Sequence, residues 1–219
     1  MTTLSQRSEL TSTSKRMFEL GLAPGTSGNV SVRTATGFLV TPSAIAYGDL
    51  QPDDMVEVRE DGTLRPGQRV PSSEWQLHRD LMATRREAAA IVHTHSPYCT
   101  TIACLRRPIP AIHYMIALAG TDEIPCAEYA TYGSAELAHN VTRALGDGRA
   151  ALMANHGMVA LGDTLAAALR LAAEIETVAA LYWRALQVGT PALLPADEIK
   201  RVAGKFAEHG QKKSKTKRS

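Results

Sequence analysis

The run AAAIVHTHSPYC, Ala88–Cys99, sets two of the chain's seven histidines one residue apart at the end of an apolar segment. In an extended strand, residues i and i+2 point to the same side of a sheet; in a helix they diverge. The apolar run is short and stops at His-Thr-His, just before Ser96-Pro97, which predicts a strand. His93 and His95 then converge on one volume, where two imidazoles can chelate a metal, while Thr94 faces away and serves the strand. On the plainer reading both histidines hydrogen-bond at a loop edge, because so short a motif matches often by chance.

Strand and helix signals alternate along the rest of the chain. Leu4–Leu20 reads as a helix with Leu10, Met17 and Phe18 among its apolar positions and Gly21 as its stop. NVSVRTATGFLVTP reads as a hairpin turning at Thr36-Gly37, and MVEVR as a further strand ending at Glu60-Asp61-Gly62. Pro71-Ser72-Ser73-Glu74 opens an amphipathic helix, with Ser72 or Ser73 as N-cap and an acid favouring the helix dipole. SPYCTTIACL continues as a helix with Ser96 as cap and Pro97 at its first position. GSAELAHNVTRALG is a helix closed by Gly146, and AALMANHGMVALG is two strands broken at Asn155-His156-Gly157. Asp163 is the expected cap of a long alanine-rich helix reaching about Val188, and PADEIKRVAGKFAEHG forms the last helix. The expectation is a layered α/β fold: a central mixed and largely antiparallel sheet flanked by helices.

Residues 1–209 suit one domain with a substantial core, since no repeat divides them. The lysine-rich segment 210–219 is expected to be a disordered basic tail. A formal net charge of +2 gives the body of the chain no general attraction to nucleic acid or membranes. Cys99, Cys104 and Cys126 form no CxxC pair and are odd in number, as in a reduced cytoplasmic protein. The N-terminal stretch lacks the apolar core of a signal peptide, and no run is long enough to span a bilayer.

A third imidazole gives the histidine pair its interest. His156 lies between two apolar strands, where Gly157 is expected to let the backbone turn sharply. Two ligands from one strand and one from a distant turn leave a fourth metal position open, a catalytic arrangement for Zn²⁺. His78, His113, His139 and His209 are rivals. His78 follows Glu74 by four residues on one helical face and reads best as a helix-surface residue or one standing behind the ligands; His139 and His209 lie in polar helical stretches. Glu74 is the carboxylate that can close the metal's open position, or leave it and carry a proton; its plainer role is a first-turn charge. GTSGN, TPSA and PSSE are small, hydroxyl-rich loops, the last at a helix start where free N–H groups attract anions. Together they suggest a phosphorylated substrate beside a metal. Gly25–Gly28 is no dinucleotide fingerprint, because it precedes a strand instead of following one.

The set GTSGNVSVR, TPSAIAYGDL, PSSEWQLH, IVHTHSPYCTTIA, IPAIHYMIALAG, IPCAEYATYG and NHGMVALG resembles the class II aldolase/adducin family. The IPAIHYMIA…IPCAEYATYG part is similar to its L-fuculose-phosphate aldolase branch in particular, and the likeness spans the chain from the first helix to the last. The resemblance implies a zinc-assisted cleavage of a ketose 1-phosphate, giving dihydroxyacetone phosphate and, from L-fuculose 1-phosphate, L-lactaldehyde. His93, His95 and His156 would bind Zn²⁺, with Glu74 as a displaceable fourth ligand and proton carrier. Gly28, Asn29, Ser43, Ala44, Ser72 and Ser73 would hold the phosphate. Tyr114, from a neighbouring subunit of a fourfold homotetramer, would handle the proton of the hydroxyl that becomes the aldehyde, and Tyr132 would line the aldehyde end.

Three residues depart from the branch. Ser43-Ala44 replaces a Thr-Gly pair, and alanine resists positive φ. Tyr132 stands where phenylalanine is common, and His209 where a functional tyrosine sits. A related ribulose-phosphate or deoxypentulose-phosphate aldolase, epimerase, dehydratase or decarboxylase keeps the same metal site. The ribulose-phosphate epimerases, however, place aspartate where Glu74 stands. A non-catalytic adducin-like protein would gain nothing from three histidines, Glu74 and Tyr114 retained together.

Overall fold

The computed structural model describes the backbone of residues 3–216 and the side chains of residues 4–208. Helix α1 (Thr3–Glu19) leads into the hairpin β1 (Asn29–Arg33) and β2 (Gly37–Val40), then β3 (Val56–Arg59). Helix α2 (Trp75–Thr84), strand β4 (Ala90–Thr94) and helix α3 (Pro97–Cys104) follow, then the short strands β5 (Ile109–Pro110), β6 (Glu123–Ile124) and β7 (Cys126–Ala127). A 3-10 segment, Tyr114–Ala119, links β5 to β6. Helix α4 (Ala135–Leu145), the pair β8 (Ala150–Met153) and β9 (Gly157–Gly162), and helices α5 (Leu165–Val188) and α6 (Ala196–Thr216) complete the chain.

Seven strands form one sheet in the order β3-β2-β1-β4-β9-β8-β7. Every neighbouring pair is antiparallel except β7–β8, so the sheet is mixed and largely antiparallel, as the sequence predicts. β5 and β6 make a separate two-stranded ribbon. The side-chain period of two divides the sheet's apolar residues between two layers. Val30, Val32, Ala90, Val92, Met158 and Ala160 pack with Leu10, Ile102 and Ile175 of α1, α3 and α5. Ile91, Val159 and Leu161 pack with Leu77, Leu81, Leu137 and Val141 of α2 and α4. β4, near the middle, is buried along its whole length, which is why its first three residues, Ala90-Ile91-Val92, are apolar without alternation.

Several expected details differ. Helix α5 is capped by Thr164, whose side chain accepts from the Ala167 N–H at 3.1 Å, and not by Asp163. At α2 the cap position is Glu74, while Ser72 Oγ accepts the Glu74 N–H at 3.3 Å. Ser96 occupies the cap position of α3, but its side chain makes no capping bond to the helix backbone and accepts from Thr94 Oγ1 instead. Glu176 of α5 takes that role, accepting the Tyr98 and Cys99 N–H groups at 2.8 Å each; a carboxylate there also suits the helix dipole. Phe18 is 45% exposed and stacks on Tyr47 instead of entering the core. Helix α6 spans Ala196–Thr216 and so runs into the lysine-rich segment. Residues 217–219 lie outside the described part.

Candidate metal centre and the cavity beside it

His93 sits on β4 with the parity of Ile91, so its side chain faces the α2/α4 layer. His95 lies just past the strand end, its N–H anchored on the Leu22 carbonyl at 3.1 Å. His156 arrives from the tight turn between β8 and β9, and the β4–β9 register that pairs His93 with Val159 brings it alongside. Glu74 stands at the start of α2 on the same side. The three imidazole centroids form a near-equilateral triangle with sides of 4.8, 4.9 and 4.8 Å. One ligand atom from each of the four residues lies within 4.8 Å of all the others.

The Glu74 carboxylate spans two of the rings, with Oε2 at 3.0 Å from His93 Nε2 and Oε1 at 3.4 Å from His156 Nε2. Oε1 is buried and has no hydrogen-bond partner. A buried orphan oxygen beside three converging ring nitrogens is the donor set of a divalent cation of the zinc kind. His93 Nδ1 donates to the Met158 carbonyl at 3.0 Å, which leaves its Nε2 lone pair directed at the cluster. Burial, the largest cause, lowers the pKa of His95 to about 3 and of His156 to about 4, so both rings are held neutral as ligands require. For Glu74, burial raises the pKa, but His93 and hydrogen bonds outweigh it and keep the carboxyl well below the usual range. The site thus fits Zn²⁺ through His93, His95, His156 and Glu74.

Among the described residues no rival histidine joins this cluster. His139 is exposed on α4, and His113 Nδ1 accepts the Met115 N–H at the start of the 3-10 segment. The side chain of His209 lies outside the described residues. His78 is fully buried, not on the helix surface, and its ring hydrogen-bonds between Ser31 and Asn29.

A cavity of about 330 Å³ opens beside Glu74, His95 and His156. It is lined by Gly28, Asn29, Ser43, Ala44, Ser72 and Ser73, together with Tyr129, Tyr132 and Asn155. Gly28 has φ +77°, and a Cβ there would meet the His93 carbonyl oxygen at 2.7 Å, so glycine is needed on both counts. The loop carrying it is held by Tyr47, whose buried hydroxyl donates to the Ser27 and Gly28 carbonyls at 2.9 Å. Ser43 is already engaged: its N–H donates to the Val70 carbonyl and its hydroxyl to that of Pro71. Tyr114 does not line the cavity of its own chain; it is 47% exposed, with its ring near His113 and Phe206.

Two left-handed residues shape the rim. Asn155 carries the positive φ of the His156 turn, at 54°; Gly157 does not, contrary to the sequence expectation. Arg106, also at φ 54°, donates to Asn155 Oδ1 at 2.8 Å and lies over the Tyr129 ring. Tyr129, Asn155, Tyr47 and Arg106 carry no short-range signal that singles them out in the sequence. Ala44 adopts φ 59° despite its Cβ, a conformation that costs about 1–2 kcal/mol. Ala44→Gly is therefore expected to raise stability by up to about 1 kcal/mol, the relief being offset in part by glycine's freedom when unfolded. Urea denaturation checks this, and a destabilised variant would show that the Ala44 methyl contributes contacts.

A buried carboxylate and three imidazoles under a small-residue cavity define a divalent-metal protein built on an α/β sandwich. The chain belongs to the class II aldolase and adducin family: residues 8–183 match its domain, described as "Class II Aldolase and Adducin N-terminal domain". It is 48% identical over 204 residues to a 5-methylthioribulose-1-phosphate/5-deoxyribulose-1-phosphate aldolase of Rhodospirillum rubrum, covering 93% of this chain and 92% of that one. It is 44% identical to an L-fuculose phosphate aldolase of Haemophilus influenzae, covering 89% and 90%. A solved L-fuculose 1-phosphate aldolase superposes with a TM-score of 0.90 at 40% identity, covering 93% of this chain and 96% of that structure. Among the described residues no helix is long and apolar enough to cross a membrane.

Proposed function

We propose that the chain is a zinc-dependent aldolase that cleaves a short deoxyketose 1-phosphate to dihydroxyacetone phosphate and a small aldehyde. The observation that carries this reading is the Glu74 carboxylate bridging His93 and His156 at a cavity lined by the three small-residue loops. Zn²⁺ bound by His93, His95 and His156 would supply positive charge beside the oxygens that become negative as the C3–C4 bond breaks.

The chain's own residues account for the remaining steps. The loops at Gly28-Asn29, Ser43-Ala44 and Ser72-Ser73 grip the phosphate, an unreacting part of the substrate whose binding orients the rest. With the Ser43 donors engaged, the Ala44 N–H and the Ser72 and Ser73 groups are the natural contacts from two of these loops. Removal of the C4 hydroxyl proton makes the aldehyde and sends the C3–C4 electron pair into the phosphate-bearing half. Glu74, which would leave the fourth-ligand position when substrate binds, starts as a carboxylate. It takes up the proton lost from the C4 hydroxyl by way of the base there and delivers it to C3, so the proton given up at one carbon's oxygen is the one that completes dihydroxyacetone phosphate. Tyr114 suits the C4 hydroxyl if a neighbouring subunit of a homotetramer carries it into the cavity, in keeping with its exposure and its distance from its own cavity.

The substrate's far end is the open choice, and the relatives act on two lengths of sugar. The Rhodospirillum rubrum relative at 48% favours the five-carbon 5-deoxyribulose 1-phosphate or its methylthio analogue; the Haemophilus influenzae one favours the six-carbon L-fuculose 1-phosphate. Tyr129 and Tyr132 line the cavity and are the side chains placed to weigh a short terminal group. The test is to assay dihydroxyacetone phosphate release from each sugar phosphate by a coupled NADH-consuming reaction. Product is expected from at least one, and its rate should fall by more than tenfold on full chelation and return with Zn²⁺. No product from any of the three with zinc loaded would overturn the aldolase reading; product insensitive to metal removal would overturn the zinc reading.

A further inference from the structure

A chain of buried polar groups runs behind the metal ligands. Ser31 Oγ lies 2.6 Å from His78 Nδ1, His78 Nε2 lies 2.5 Å from Asn29 Oδ1, and Asn29 Nδ2 donates to Glu74 Oε2 at 3.1 Å. Ser31, His78, Asn29 and Glu74 are each at most 4% exposed, and His78 and Ser31 are fully buried. We propose that His78 is a positioning residue for Glu74, acting through Asn29, with Ser31 holding the far nitrogen of its ring. The inference rests on Glu74 being the movable fourth ligand and proton carrier.

Direction follows from donor chemistry. Asn29 Oδ1 is a carbonyl oxygen and only accepts, so His78 Nε2 carries the proton and Nδ1 accepts from the Ser31 hydroxyl. With its carbonyl committed to His78, Asn29 turns its amide donors toward Glu74. An Asn29 flipped the other way would set its carbonyl oxygen against a carboxylate. His78 thereby fixes which face of the Asn29 amide meets Glu74, and so where the carboxylate rests between His93 and His156.

Packing gives no reason for an imidazole here. The residues of α2 on this face are apolar, Leu77, Leu81 and Met82, and an apolar side chain of similar volume would fill the space without three polar groups to satisfy. A buried polar chain that ends on a metal ligand is the arrangement that orients such ligands elsewhere, where its loss costs about 10–100-fold in activity or metal affinity.

The test compares His78→Leu, His78→Gln, Asn29→Ala and the His78→Leu/Asn29→Ala pair, with folding followed by urea denaturation. His78→Leu should lower kcat by about 10–100-fold with KM changed less than about twofold. His78→Gln keeps a donor near the Nε2 position and should recover most of the loss. In the Asn29→Ala background His78→Leu should have no further effect on kcat. The second readout needs no turnover: Co²⁺-loaded protein is mixed with a chromophoric chelator, and His78→Leu should release metal at least several times faster than the parent. A folded His78→Leu with unchanged kcat and metal release, or an undiminished effect in the Asn29→Ala background, would overturn the proposal. If His78→Leu does not fold, Ser31→Ala decides: it leaves the buried His78 Nδ1 without its hydroxyl partner, loosens the ring, and should lower kcat and speed metal release without changing KM, and parental values for both would overturn the proposal. A parent protein with no aldolase turnover defeats the functional reading alone, because the metal-release comparison still judges His78.

Discussion

Glu74→Gln is expected to give a folded protein that still binds zinc and turns over about 10²–10⁴ times more slowly than the parent. The substitution changes one atom, so α2 still begins at the same residue and Asn29 Nδ2 still has an oxygen to donate to. What it removes is the one group of the cluster able to take up and return a proton while three neutral imidazoles hold the metal. It also removes the negative charge that raises the pKa of His93 against the effect of burial, so the gap between the two rings loses its counter-charge. Metal content measured on the same preparation separates the two consequences. A variant that keeps its zinc and loses its turnover has lost proton transfer. Should Glu74→Gln turn over at the parental rate, Glu74 would be no more than the residue that starts a helix.

The residues differ in how far the sequence could place them. His93 and His95 were legible because a strand's period of two is a local rule, which β4 follows as far as Thr94, with His95 the next residue along. His156 and Glu74 were legible by residue type and by their position at element boundaries, and the sheet order brings them together as expected. The mixed sheet was legible too, since each strand carries its own signal. What sequence could not supply was the identity of partners far along the chain. Glu176 reaches α3 across 77 and 78 residues to do the work assigned to Ser96, and nothing near Ser96 announces it. His78 was read from its helix alone as facing the surface or standing behind the ligands. Only the β1–β4 register, which sets Asn29 opposite His93, shows that the second description is right and what the ring is bonded to. Ala44 is the reverse case. Its preference against positive φ is real, yet the tertiary fold imposes φ 59° all the same.

Gly157 shows how a local rule can choose the right residue for the wrong reason, and its replacement has the largest expected effect on the fold. Positive φ belongs to Asn155, so an alanine at 157 would suit the backbone angles. The difficulty is room. A Cβ at this position would overlap the backbone carbonyl oxygen of Thr94 and sit 3.4 Å from His93 Cε1. Backbone cannot rotate aside as a side chain can, so β9 must move away from β4 at the point where Thr94 pairs with Met158. That movement lengthens the Met158 carbonyl contact to His93 Nδ1 and separates His156 from His93 of β4 and from His95 just past its end. Gly157→Ala is therefore expected to cost at least about 2–3 kcal/mol, the upper range for overpacking in a close-packed interior. It should also weaken zinc binding by more than tenfold, since the ligand geometry tolerates little displacement. Urea denaturation of the metal-free protein reads the first effect, and competition with a chelator of known affinity reads the second. Parental stability in Gly157→Ala would mean that the two strands have slack where the described packing leaves none. Lost stability with parental zinc affinity would mean that the metal itself pulls the three histidines back into place.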